Sequence, residues 1–387
     1  MDLKLTPVKL RGRVTPPASK SQAHRALIAA RLSAGESTLR NLARSEDIDA
    51  TERCMGILRA SGDNQSLLDC GESGSTLRFL MPVALALRGG GVFTGRGRLM
   101  ERPQGPYFAI FDEKGIFYRQ EDGVLTLRGL LPPGVYRLPG NVSSQFVTGL
   151  LYALPLLGED SEIQLTAPLE SRGYVDMTVD VLARFGIRVE NQGYERFLVP
   201  GGQKYRAAEM TVEADWSQAA FWYAAIALGS QVEVEGLSAS SMQGDRVIAS
   251  HFLRLSRTGD VDIDVSDCPD LVPPLAVMAA VRRGTTRLVN AARLRMKESD
   301  RLVTVRQTLA ALGADVEEGA DSLTIRGRPA LEGGVTVDCQ NDHRIAMMAA
   351  VAATACERPV VLTGAECVAK SYPAFWEDYR ALGGTFS

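Results

Sequence analysis

What this sequence lacks narrows it first. Its six cysteines, Cys54, Cys70, Cys268, Cys339, Cys356 and Cys367, contain no C-x-x-C pair. That scatter speaks against a structural zinc site, whose ligands are tightly spaced, and reads as buried thiols in a reducing compartment. No apolar run approaches the ~20 residues of a membrane-spanning helix; the longest, Phe221–Leu228 and Ile345–Ala355, fall far short. The opening MDLKLTPVKLRGRV alternates as a strand does and lacks the charged head, apolar stretch and small-residue cleavage site of an export signal. A cytoplasmic protein without a membrane partner is therefore expected. A charge excess is missing too: 43 Lys and Arg face 46 Asp and Glu, a formal net charge of -3. Nothing global draws such a chain to nucleic acid, so any basic site must be local.

What is present is periodicity. At 387 residues and 45% hydrophobic residues, the chain exceeds the ~250–300 residues at which single cores stop growing, which predicts two domains. Six segments open on a polar cluster and run into a small-residue, apolar helix: Ser19–Arg31, Ser73–Leu87, Ser143–Leu157, Ser217–Leu228, Asp270–Val281 and Asp342–Ala355. Apolar residues on nearly every face predict that these helices are buried. Each is followed by an amphipathic helix expected to stop at a glycine: Gly62, Gly115, Gly186, Gly259, Gly313 and Gly383. The first three glycines and the last three are offset by about 197 residues, as in a duplicated half. Strand-like runs such as Val124–Arg128, Glu162–Thr166, Arg196–Val199, Gln231–Val234, Val261–Val265 and Ser322–Arg326 lie between. Each unit then reads strand, helix, strand, helix, two strands, an α/β class with mixed sheets. The boundary falls near Val212, and a single N-terminal strand, Leu3–Val14, can pair with either half.

The polar clusters carry the chemistry. Ser19-Lys20-Ser21 with Arg25 puts a cap, a hydroxyl and two cations on the first turns of a helix, a ready phosphate site. Gly71-Glu72-Ser73-Gly74 is a turn that lets backbone approach a ligand closely, though it lacks the Gly-Lys-Ser/Thr ending of a Walker loop. Arg102 follows in a charged kink. Ser143, Ser144 and Gln145 lead the third buried helix, and Ser171-Arg172-Gly173-Tyr174 offers a hydroxyl, a cation and a ring in one turn. In the second half, Asp270 stands at the mouth of a buried helix, where partial burial predicts a raised pKa. Arg295-Met296-Lys297-Glu298-Ser299-Asp300-Arg301, Asn341-Asp342-His343-Arg344 and Ala369-Lys370 recur at equivalent unit starts. Each cluster alone also fits a capped helix or a solvated charge run. If the starts converge, Lys20, Arg25, Arg102, Lys297, Arg301, Arg344 and Lys370 face one cleft suited to phosphates and carboxylates.

With these clusters in this order, the sequence resembles the EPSP synthase (3-phosphoshikimate 1-carboxyvinyltransferase) family across essentially its whole length. The resemblance implies two similar domains, each of three βαβαββ units with buried helices, an inside-out α/β barrel with the active site in the interdomain cleft. It assigns 15–212 to one domain and 1–14 with 213–387 to the other. It implies transfer of the enolpyruvyl group of phosphoenolpyruvate to the 5-hydroxyl of shikimate 3-phosphate, with release of phosphate. No cofactor or metal is implied, and a monomer is the family default. Catalysis falls to Asp270, Glu298 and Lys20. Phosphoenolpyruvate falls to Lys20, Gly74, Arg102, Gln145, Arg301, Arg344 and Lys370. Shikimate 3-phosphate falls to Lys20, Ser21, Arg25, Ser143, Ser144, Gln145, Ser171, Asp270 and Lys297, with Tyr174 lining the ring. Glu72, Arg293, Gly173 and Trp216-Ser217-Gln218 depart from commoner patterns, so inhibitor sensitivity does not transfer. The rivals are the enolpyruvyl transferase acting on UDP-N-acetylglucosamine, whose loop cysteine is missing from Gly89–Arg98, and a non-catalytic anion-binding protein.

Overall fold

The computed structural model describes residues 1–42, 44–60 and 66–387. The chain divides into two compact units, Ala18–Val212 and Met1–Pro17 with Glu213–Ser387. The α/β class expected from the sequence holds in both.

In the unit Ala18–Val212 the helices are α1 (Lys20–Leu32), α2 (Glu46–Arg59), α3 (Gly74–Arg88), α4 (Gly105–Lys114), α5 (Ser144–Ala153) and α6 (Arg172–Arg184). Serine hydroxyls start four of them. Ser19, Ser45, Ser73 and Ser143 accept from Gln22 N (3.4 Å), Ile48 N (3.4 Å), Thr76 N (3.1 Å) and Gln145 N (3.3 Å), satisfying donors the first turn leaves orphaned. Two four-stranded sheets repeat one pattern. Leu67–Asp69 and Gly90–Thr94 run parallel across α3, and the hairpin Phe117–Glu121/Val124–Arg128 adds antiparallel to the second strand. Gly134–Leu138 and Ser161–Leu165 do the same across α5, closed by Glu190–Gln192/Arg196–Val199.

The other unit holds α7 (Trp216–Ala227), α8 (Ile248–Leu255), α9 (Val272–Val281), α10 (Arg301–Ala311), α11 (His343–Ala353) and α12 (Phe375–Ala381). Here the caps are aspartates. Asp215, Asp300 and Asp342 accept from Ser217 N (2.8 Å), Val303 N (3.3 Å) and Arg344 N (3.0 Å). The sheet pattern recurs across α9 with Val261–Asp264, Thr285–Val289, Leu323–Arg326 and Asp315–Glu318. Across α11, Thr336–Asp338 and Val360–Thr363 run parallel, and Leu3–Thr6 from the chain start fills the place of the hairpin's second strand, flanked by Thr385–Phe386.

The helices α3, α5, α7, α9 and α11 are the cores of their units: Leu77–Leu80, Val147–Leu154, Leu275–Ala280 and Ile345–Ala353 consist almost wholly of buried residues. Each large aliphatic chain among them is worth roughly 1.5–3 kcal/mol of burial. The close packing of α3 on α5 depends on Pro82 and Gly149. Pro82 inside α3 cannot donate to the Arg78 carbonyl, and the Tyr107 hydroxyl sits 2.9 Å from that carbonyl and 2.9 Å from that of Phe146. A Cβ on Gly149 of α5 would strike the Tyr107 hydroxyl and come within 2.5 Å of the Arg78 oxygen; only glycine fits.

Three expectations are corrected. Leu3–Val14 is two strands, Leu3–Thr6 and Arg11–Val14, in different sheets, because Pro7 cannot extend a ladder. Gly115, Gly186, Gly313 and Gly383 do follow helices at positive φ, but α8 is capped at Ser256, whose hydroxyl turns back onto the Phe252 carbonyl (2.8 Å), and Gly259 lies beyond it. The helix expected from Asp270 begins at Val272, after a 3-10 turn Pro269–Leu271. Gly62 lies outside the described residues.

Candidate active site

In the unit Ala18–Val212, the starts of α1, α3, α5 and α6 carry the polar clusters. Lys20 in the first turn of α1 donates from Nζ to Asp47 Oδ2 of α2 (2.7 Å), both largely buried. One turn on, Arg25 is 2% exposed. It donates to the Ser21 carbonyl (2.7 Å), the Tyr174 carbonyl (3.0 Å) and the Thr178 hydroxyl (2.8 Å), and its guanidinium lies over the rings of Phe79 (5.2 Å) and Tyr174 (5.8 Å). All of these partners are neutral, so burial lowers the guanidinium pKa to about 10.

Gly74 opens α3 against Arg102: a Cβ there would lie 2.6 Å from Arg102 Nη1. Gln145 is gripped at both ends of its amide. Arg78 Nη1 donates to its Oε1 (2.8 Å), and its Nε2 donates to Ser75 Oγ (3.1 Å). Ser144 is buried in the first turn of α5. Ser171, ahead of α6, is buried at φ 58°, ψ 45° and makes no side-chain cap. A non-glycine residue in that region carries strain, of the kind that clusters at functional sites.

In the other unit, Asp270 gathers cations. Its Oδ1 accepts from Lys297 Nζ (3.2 Å) and Arg301 Nη1 (2.9 Å), and its Oδ2 from Arg344 Nη2 (3.2 Å). Arg301 also donates to Glu298 Oε2 (2.6 Å) and to both oxygens of Asp342 (2.8 and 3.2 Å). Arg344 reaches Ser217 Oγ at the start of α7 (3.0 Å), and that hydroxyl bonds to Asp215 Oδ1 (2.6 Å). Lys370 donates to the Asn341 carbonyl (2.6 Å). The raised pKa expected for Asp270 is overturned. Burial does push the carboxyl up, but Arg344, Lys297 and Arg301 outweigh it and hold it well below the usual carboxylate range. Burial likewise lowers Lys297, against the pull of Asp270.

Each unit thus presents helix starts, buried cations and a carboxylate, an arrangement suited to small polyanions. The family model of EPSP synthase (3-phosphoshikimate 1-carboxyvinyltransferase) matches residues 5–379. The chain belongs to this family. It is 46% identical over 416 residues to the 3-phosphoshikimate 1-carboxyvinyltransferase of Clostridium kluyveri, covering 99% of this chain and 97% of that protein. The enzyme of the same name from Clostridium acetobutylicum is 46% identical over 419 residues, with the same coverage. The solved EPSP synthase of Acinetobacter baumannii superposes with a TM-score of 0.81 over 100% of this chain and 99% of its own, at 23% identity, a likeness of fold.

Of the residues singled out in the sequence, the structure joins Asp270, Lys297, Glu298, Arg301 and Arg344 in one bonded cluster, pairs Gly74 with Arg102, and ties Arg25 to α5 and α6. Asp47 behind Lys20 went unread, and the partnerships of Arg78 with Gln145, Ser217 with Arg344 and Asp342 with Arg301 were not expected. Asp342 and Asp215 had a visible signal, an Asp just before an apolar helical run. Among the described residues, no group of three or more His, Cys, Asp or Glu could hold a metal ion, and no helix is long and apolar enough to cross a membrane. All six cysteines are buried free thiols.

Proposed function

We propose that this chain carries out its family's reaction, moving the enolpyruvyl group of phosphoenolpyruvate to the 5-hydroxyl of shikimate 3-phosphate, with residue roles as follows. Asp270 takes the proton of the attacking hydroxyl. Glu298, or alternatively Lys20, delivers a proton to the CH2 carbon of phosphoenolpyruvate. A tetrahedral adduct forms, then loses phosphate as the new methyl group gives a proton back. Lys20, Gly74, Arg102, Gln145, Arg301, Arg344 and Lys370 bind phosphoenolpyruvate. Ser21, Arg25, Ser143, Ser144, Ser171, Asp270 and Lys297 bind shikimate 3-phosphate, with Lys20 and Gln145 shared between the two substrates.

The observation that carries the reading is the convergence of three cations on Asp270. Paired with Lys297, Arg301 and Arg344, its carboxylate is ionised and a weak base. Anionic substrates that draw Lys297 and Arg344 to their own phosphate and carboxylate groups leave Asp270 fewer cations and a higher proton affinity, so its basicity rises only when substrate is present. Arg25 supports the same reading, because a buried cation held only by neutral acceptors is stabilised by an arriving anion. We also assign it to the cytoplasm as a monomer with its two substrates as its only partners, on the family's default.

Phosphate release by the purified protein tests this, with phosphoenolpyruvate plus either shikimate 3-phosphate or UDP-N-acetylglucosamine. Release with the first acceptor alone is expected. Release with neither removes the transferase reading, and release with the second alone reassigns the acceptor. Size-exclusion chromatography coupled to light scattering tests the monomer.

A further inference from the structure

We propose that Asp342 is a positioning residue for the proton-transfer pair, acting through Arg301. The inference rests on the reading that Asp270 and Glu298 move the protons.

Asp342 is 0% exposed and caps α11. Capping requires one oxygen: Oδ1 accepts from Arg344 N at 3.0 Å. The carboxylate does more. Its Oδ2 accepts from Arg301 Nε at 2.8 Å and from the Ser299 hydroxyl at 2.9 Å, and Oδ1 accepts also from Arg301 Nη2 at 3.2 Å. Two N–H groups of one planar fork on two oxygens of one carboxylate fix orientation as well as supply energy.

What Asp342 fixes from behind is the guanidinium that spaces the two acids in front. Arg301, 1% exposed, gives Nη1 to Asp270 (2.9 Å) and Nη2 to Glu298 (2.6 Å). Of the five N–H groups of a guanidinium, four are thereby directed at three carboxylates. A rotation of that plane moves both acids together, and a displacement of ~1 Å at a reacting group costs about 10²-fold in rate. The charge matters as well. The groups acting on Asp342 are Arg301 and Glu298 from the segment entering α10 and His343 from its own helix, and Asp342 in turn acts on Cys367 of the turn Ala365–Lys370. Without the Asp342 charge, Arg301 is shared by two carboxylates instead of three, and Asp270, already held low by its cations, becomes harder still to protonate.

Asp342→Asn separates these roles from capping, since Asn caps a helix as well as Asp does. With shikimate 3-phosphate and phosphoenolpyruvate, kcat is expected to fall by about 10²-fold, KM for shikimate 3-phosphate to stay unchanged, and the acid limb of the kcat–pH profile to move to lower pH. Wild-type kcat, or a loss of kcat with an unmoved acid limb, overturns the inference. Asp270→Asn, measured alongside, distinguishes its premise: if that variant keeps wild-type kcat, the proton-transfer reading fails first and this inference with it. Should Asp342→Asn not melt cooperatively, Asp342→Ser decides, because serine keeps a capping oxygen and lacks the carboxylate that holds Arg301. A fall in kcat with KM for shikimate 3-phosphate unchanged supports the inference, and wild-type kcat overturns it.

Discussion

The two units are built on one repeat, yet they start their helices differently. In Ala18–Val212 the caps are serines, Ser19, Ser45, Ser73 and Ser143, and Arg25 and Arg78 are held by hydroxyls, carbonyls and amide oxygens. Lys20, paired with Asp47, is the exception. In the other unit the caps are aspartates, Asp215, Asp300 and Asp342, and Arg301 and Arg344 are held by carboxylates. Neutral caps leave helix N-termini open to an anion and leave Arg25 among neutral acceptors, whereas charged caps compensate the cations and leave carboxylates to titrate. On the proposed roles, both units contribute binding cations, and the carboxylates proposed to move protons, Asp270 and Glu298, lie in the aspartate-capped unit.

Removing the central carboxylate is the strongest attempt to break that division. Asp270→Asn is expected to lower kcat by about 10²–10⁴-fold, the range of general acid–base catalysis, with binding of shikimate 3-phosphate little changed by calorimetry. If Lys20→Met costs more kcat than Asp270→Asn, the proton chemistry belongs to the serine-capped unit instead.

Two arginine replacements sharpen the contrast without substrate. Arg301→Met leaves Asp342, Asp270 and Glu298 short of their shared cation, and breaking such a buried pair is expected to cost about 3–5 kcal/mol in urea unfolding. Arg25→Met removes a buried cation that has no carboxylate to strand. Its stability is expected to hold, while KM for shikimate 3-phosphate rises about 10–100-fold, the value of charged hydrogen bonds worth about 1.5–3 kcal/mol. Equal destabilisation by both variants would dissolve the distinction.

Acid extends the contrast to pH. Burial raises the carboxyls of Asp270 and Asp342, but Arg344, Lys297 and Arg301 for the first, and Arg301 for the second, hold both below the usual range. Carboxylates so depressed contribute their stability fully above the unfolded value of about 3.9 and lose it as pH falls through the folded values. The three tryptophans, Trp216, Trp222 and Trp376, all lie in the aspartate-capped unit, so their fluorescence follows that unit alone. It is expected to report a loss of stability below about pH 4, with a shallower slope in Asp342→Asn. An unchanged slope in that variant removes Asp342 from the acid transition.

Much of this was legible before any coordinates. The buried helices were visible because small apolar residues cover every face of segments such as Ile345–Ala353, and the repeat because glycines recur at one offset. The caps were legible only in part: Ser before α1, α3 and α5 and Asp before α11 stood at the expected starts, but the α7 segment reads as opening at Ser217, whereas its cap is Asp215. What could not be read was partnership. Asp270 looked like an acid raised by burial, because its three cations come from sequence positions 27, 31 and 74 residues away, and no local pattern gives that convergence. Asp342 looked like a cap, since its second oxygen is spent on Arg301, 41 residues upstream. Local periodicity fixes elements, and the sign of a pKa shift depends on the contacts between them.

The smallest expected effect probes the approach of Arg102 to the start of α3. Arg102 lies against the bare backbone of Gly74, where a Cβ would meet Nη1 at 2.6 Å and Cζ at 3.0 Å. In Gly74→Ala the far end of a flexible side chain must give way rather than the helix, so unfolding is expected to be near wild type. The Arg102 guanidinium is displaced from its place beside the start of α3, which on the proposed roles weakens its contact with phosphoenolpyruvate without touching Asp270 or Glu298. KM for phosphoenolpyruvate should therefore rise by about 10-fold, one charged hydrogen bond at the low end of its range, with kcat and its pH profile unchanged. A shift in the pH profile of kcat instead would mean that the serine-capped unit takes part in the proton steps, and the division of labour between the two kinds of helix start would not hold.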